Sequence, residues 1–188
     1  MWTWTREPAE DDEEGGGRND PPRTDVLTAE GGLNRHVWDL RYPGMSRFDD
    51  LIMWSDMREG PMSVPGTYRL RLVVGEVEQE QTFEVLPDPR SSSTPADYAA
   101  QFEFVIEARD LLSRTHDEIV RIRTVRDQLD SVRGRLGAAD DVETPLTEAI
   151  DAFVERITAI EEALYQTKNE SRQDPLNYPI RLNNKLTS

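Results

Sequence analysis

The sequence predicts an α+β protein, a short β region followed by a long antiparallel αα-hairpin. Three observations predict it. The hydrophobic period changes at Pro87-Asp88-Pro89. Before that point, short apolar/polar alternations are separated by Gly-Gly and Pro-Gly turns. After it, apolar residues recur every three or four positions through two successive segments.

Residues 1–25 carry E-D-D-E-E, G-G-G and D-P-P, and residues 1–20 hold seven acidic and two basic side chains. That composition cannot bury enough apolar area to offset ordering entropy, so this acidic tail is predicted to be disordered. Trp2 and Trp4 stand at i and i+2, on one face of any strand they would form.

Residues 26–87 read as β. Leu33 to Leu40 is predicted as a strand, bounded by Gly31-Gly32 and Pro43-Gly44. Pro65-Gly66 turns the chain, and Thr67 to Val74 alternates with Tyr68, Leu70 and Leu72 on one face and Arg69 and Arg71 on the other. Gly75-Glu76 makes the next turn, and Glu78 to Val85 returns as the second arm of a hairpin. The loop from Met45 to Met62 carries Phe48, Leu51, Ile52 and Trp54. A loop that apolar is expected to fold over the sheet or to be covered by a partner.

Residues 88–93 are a linker, and residues 94–170 read as the helical hairpin. Thr94 is the predicted N-cap, with Pro95 at N1 and Asp97 in the first turn. The first stripe runs Tyr98, Phe102, Val105, Leu112, Ile119, Ile122, Leu129, Val132, Leu136. Gly137 to Asp141 breaks it, and Thr144-Pro145 opens a second helix with the stripe Leu146, Ile150, Phe153, Ile157, Ile160, Leu164. At ~1.5 Å per residue the helices span ~60 Å and ~37 Å, so the second leaves Tyr98, Phe102 and Val105 uncovered. The tail, residues 171–188, is predicted to pack back on the first helix there, through Tyr178, Ile180 and Leu182. Pro175 and Pro179 delay any helix to about Ile180.

Over 188 residues the net charge is -15 and 31% of residues are charged. Such a chain repels nucleic acid and anionic membrane surfaces, and no window approaches the ~18 apolar residues of a membrane span. The N-terminus lacks the apolar core of a signal peptide. With no cysteine, disulfides, thiolate metal sites and a Cys nucleophile are excluded.

Candidate chemistry is sparse. His36 and His116 stand in different regions, and His116, beside the stripe, reads as a hydrogen-bonded interhelical histidine. Asp49-Asp50, Glu107 with Asp110, and Glu161-Glu162 read as solvated carboxylates. Arg121, Arg123, Arg126, Arg133 and Arg135 interleave with acids, as on an ion-paired helix surface. Asn169-Glu170-Ser171 fits the three-residue glycosylation pattern. No nucleophile elbow, P-loop, dinucleotide fingerprint or zinc-protease pair occurs.

Three stretches point to a family: G-L-N-R-H-V-W-D-L-R-Y-P at 32–43, G-P-M-S-V-P-G-T-Y-R-L-R-L at 60–72, and E-A-L-Y-Q-T-K-N-E-S-R-Q-D-P-L-N-Y-P-I-R-L-N-N-K-L at 162–186. In this order they resemble the C-terminal region of large bacterial proteins that begin with a sortilin-type β-propeller of BNR-like repeats. Those proteins are often labelled glycosyl hydrolases. The first two stretches are also similar to the Ig-like domain of flagellar hook-capping proteins. The resemblance implies a partial Ig-like β-sandwich over 26–87, lacking the first strands and so leaving open edges. It implies a secreted or periplasmic setting, and no propeller repeats are present.

The favoured reading is a non-catalytic accessory module that packs on or beside such a propeller, with no cofactor and no metal expected. Its partner would be a β-propeller domain of the same protein, another protein, or a glycan. The candidate core or interface residues are Trp38, Arg41, Tyr42, Trp54 and Tyr68. The alternative is part of a glycoside hydrolase, which needs two carboxylates converging near Trp38 and Trp54. Asp39, Asp49 and Asp50 are the local candidates.

Overall fold

A computed structural model of the chain describes residues 31–54, 59–137 and 145–187. The expectations for the tail at 1–25, for Trp2 and Trp4, for the 138–141 break and for the Thr144 cap lie outside the described residues. The architecture is α+β. Strands β1 (Gly66–Val74) and β2 (Val77–Val85) precede helices α1 (Pro95–Gly137), α2 (Pro145–Leu164) and α3 (Leu182–Lys185).

The hairpin forms as its alternation predicts. β1 and β2 pair antiparallel from Gly66↔Val85 to Val74↔Val77. Gly75 takes a φ of 60° at the first position of the two-residue turn, where glycine is favoured. Tyr68↔Phe83, Leu70↔Gln81, Leu72↔Gln79 and Val74↔Val77 share one face. The other carries Arg71–Glu78 at 2.6 Å and Arg69–Glu80 at 3.6 Å. Among the described residues these two strands are the whole sheet.

The strand expected from Leu33 to Leu40 does not form. Leu33 is fully exposed, and the only pairing nearby is the isolated bridge Arg41↔Met62. The cause is local. Leu40 adopts a left-handed φ of 63°, and Asp39 Oδ1 accepts the Arg41 N–H at 2.9 Å, a side-chain turn that competes with extension. The chain then passes so close to Gly60 that any Cβ there would collide with the Tyr42 and Pro43 carbonyls.

The apolar loop, expected to fold over the sheet or to be covered by a partner, packs on the helices instead. Met45 and Met53 form the core with Leu112 of α1, joined by Leu51 and by Leu186 of the tail. Backbone groups anchor it: Ser46 N–H donates to Ser113 Oγ, and Arg109 Nη1 donates to the Pro43 carbonyl. The helices offer a larger apolar surface than a two-stranded ribbon, so burial is greater there.

α1 begins at the predicted cap. Thr94 N–H and Oγ1 both donate to Asp97 Oδ2, and Asp97 N–H donates back to Thr94 Oγ1, a reciprocal cap. The 43 residues of α1 reach about 64 Å and the 20 of α2 about 30 Å. α2 is shorter than expected because the chain leaves the helix after Leu164, turning Tyr165, Gln166 and Asn169 inward.

The α2 stripe is corrected as well. Ile150 and Ile157 are buried, but Leu146, Phe153 and Ile160 are 51%, 44% and 54% exposed. The row facing α1 is Ile150, Val154, Ile157, Glu161 and Leu164, the same 4-3-4-3 spacing rotated on the helix. The exposed end of α1 is covered differently too. Tyr42 packs on Phe102 with ring centroids 4.8 Å apart. The tail docks lower down, α3 lying against α1 and α2 with Asn183 and Asn184 buried.

Candidate functional site

Of the predicted interface residues, Trp38, Arg41 and Tyr68 come together at the hairpin base. The Trp38 ring meets Tyr68 edge-on at 5.6 Å and Phe83 at 6.2 Å, and its Nε1–H donates to the Arg41 carbonyl at 3.0 Å. Tyr68 OH donates to the Val64 carbonyl at 2.7 Å. Arg41 donates to the Gly60 carbonyl and pairs with Glu59 at 3.1 Å. Tyr42 lies instead against α1, and Trp54, 59% exposed, is held through its backbone N–H by Asn184 Oδ1. The cluster covers only the near end of the apolar hairpin face. Leu70, Leu72, Val74 and Val77 are 50% to 64% exposed.

A second cluster joins α1, α2, the loop and Tyr165 just beyond α2. Glu161, 2% exposed, accepts from Arg123 Nε at 2.7 Å and from Arg126 Nη2 at 2.5 Å. Arg123 stacks over Phe48 at 4.7 Å and over Tyr165 at 5.5 Å. Tyr165 OH accepts the Ile52 N–H at 3.2 Å. Burial pushes the Glu161 carboxyl up, but the two guanidiniums overcome this and hold it below the ordinary glutamate value. Glu161 was expected in solvent. The signal that could have found it is its place in the Ile150–Ile157 row, four residues beyond Ile157, opposite two arginines. Arg121 and Arg133 do behave as surface pairs, with Glu118, and with Asp130 and Asp151.

His116, 1% exposed, bonds as a buried histidine should, but to the loop and not to α2. Nδ1 lies 2.6 Å from the Ser46 carbonyl, so Nδ1 carries the proton, and Nε2 is buried without a partner. Burial lowers its pKa, the Ser46 bond opposes this, and Arg47 adds to the lowering. Stability from neutral His116 is therefore full above pH 6.5 and falls as pH drops below it toward the folded value. Wild type should lose melting temperature between pH 7 and pH 5, and His116→Gln should flatten that slope. Parallel slopes would show that another group titrates.

The remaining candidates stay apart. Asp39 caps Arg41 beside the hairpin base, whereas the Asp50 backbone carbonyl lies by Tyr165 OH. Asp39, Asp49 and Asp50 are all exposed. Asn169 is buried, its amide without a hydrogen-bond partner, so the glycosylation pattern is not presented to solvent. Among the described residues no group of His, Asp and Glu could hold a metal ion, and no helix is long and apolar enough to cross a membrane. No protein-family model, curated protein or solved structure matches this chain.

Proposed function

We propose that this chain is a non-catalytic interaction module of a sortilin-type β-propeller protein, a partial Ig-like unit that docks through its hairpin. The observation that carries the reading is the open apolar face of β1 and β2. Leu70, Leu72, Val74 and Val77 stand half exposed or more, on a ribbon whose outer edges pair with no other strand among the described residues. A two-stranded hairpin is marginal alone, and a partner sheet or surface would complete it. The opposite face, with its Arg–Glu pairs, stays in solvent. Trp38, Tyr68 and Phe83 brace the hairpin base.

The test uses a propeller domain of the resembled family and the whole chain. Binding should be measurable by calorimetry and should weaken at least tenfold in Leu72→Lys. Circular dichroism should be unchanged, because the side chain is exposed. Equal affinity in Leu72→Lys would overturn the docking face. Turnover of a glycoside, abolished by Asp39→Asn or Asp49→Asn, would overturn the non-catalytic reading.

A further inference from the structure

α1 and α2 each carry two apolar rows, and the fold covers one pair of them. On α1 the covered row is Leu112, His116, Ile119, Arg123 and Arg126, which receives the loop and the tail through Phe48, Tyr165 and Leu186. The second α1 row, Val125, Leu129 and Val132, is only half-buried. It lies on the side of the α1–α2 pair where Leu146, Phe153 and Ile160 are exposed. The two rows border one groove between the helices, its exposed α2 row running about 21 Å from Leu146 to Ile160. Alanines at 149 and 163 line its α2 edge and are exposed, leaving room for close helix approach.

The rim is mostly basic. Arg121, Gln128 and Arg135 recur every seven residues along the α1 edge, all exposed, and Arg156 stands on the α2 edge. Two acids stand at one end of this edge, Glu118, paired with Arg121 at 3.7 Å, and Asp117, one turn before Arg121. The Asp127 and Asp130 positions fall on the opposite side of α1, and Glu148, Glu155 and Glu162 on the far side of α2. In a chain of net charge -15, a groove edged by three arginines is a local exception.

We propose that this groove seats a third helix supplied by a partner, an amphipathic helix of about twenty residues with acidic flanks. Laid between α1 and α2, it would bury on the order of 1,000 Å², where specific association begins. Its apolar stripe meets Leu146, Phe153 and Ile160, and its carboxylates meet Arg121, Arg135 and Arg156. A second copy of this chain fits less well, because it brings the same arginines to the seam. This surface is separate from the hairpin face, so it stands whatever the hairpin docks on.

The probe is a synthetic 21-residue helix with Leu at a and d and Glu at e and g, labelled for anisotropy and used where it is monomeric. The whole chain should bind it with a dissociation constant in the micromolar range. A Lys-flanked version should bind at least tenfold more weakly at low salt, the gap closing at high salt. Phe153→Glu should weaken binding at least thirtyfold. Arg156→Glu, at a solvent-facing position, should narrow the peptide preference at least threefold without touching the core. Failure to bind, equal binding of both peptides, or binding that survives Phe153→Glu would each overturn the proposal. So would a dimer in sedimentation equilibrium that dissociates on Phe153→Glu, because the occupant would then be a second copy.

Discussion

Glu161→Gln should destabilise the chain by about 3 kcal/mol, lowering the melting temperature by about 6–12 °C. The carboxylate is buried and serves two guanidiniums at once, Arg123 and Arg126. Neutralising it leaves Arg123, stacked on Phe48 and Tyr165, and Arg126 without the carboxylate they share. The loss sits at the low end for a broken buried pair, because the arginine side chains are 35% and 26% exposed and water recovers part of the cost. The neighbouring Glu162→Gln, exposed on the same helix, should change stability by less than about 0.5 kcal/mol. Acid titration gives a second readout. The Glu161 pKa is lowered in the fold, so its stabilisation is full above the ordinary value of 4.5 and is lost as pH falls through the folded value. Glu161→Gln should therefore lose less stability than wild type on acidification below pH 4.5. Equal losses in Glu161→Gln and Glu162→Gln would show that the arginines are solvated.

The local elements were legible because local chemistry sets them. Thr94-Pro95 with Asp97 starts α1, and Gly75 turns the hairpin whose alternation pairs Tyr68 with Phe83. The helix faces were harder. Each helix carries two apolar rows one or two positions apart, and a single stripe drawn through Ile119, Ile122 and Leu129 merges them. Periodicity fixes spacing, whereas only the partner surface fixes which row is turned inward. The Glu161 cluster was illegible for a related reason. A glutamate beside a second glutamate reads as a solvated face until the arginines on another helix, 35 and 38 residues earlier, are brought to it. The 33–40 strand failed on a competition that alternation does not register, the Asp39 turn and the left-handed Leu40.

Ile119→Ala should cost about 3–4 kcal/mol, with Phe153→Ala below about 1.5 kcal/mol. Ile119 is 0% exposed, between Thr115 and His116 one turn earlier and Arg123 one turn later. Removing its branched side chain leaves a cavity under the loop that carries Phe48. The loop is pinned at Ser46, Ile52 and Trp54 by Ser113, Tyr165 and Asn184, so it cannot collapse into the gap. That anchoring keeps the cost off the low end of the usual range of about 2–5 kcal/mol for such truncations. Phe153 carries more carbon than Ile119, so a ranking by size alone would reverse the order. Its 44% exposure means that truncation removes contact with water as much as contact with protein. Urea unfolding measures both variants, and unchanged m-values would place the effect in the native state. If Phe153→Ala costs more than Ile119→Ala, the rows are exchanged, with Phe153 and Ile160 facing α1 and the groove between the helices already filled.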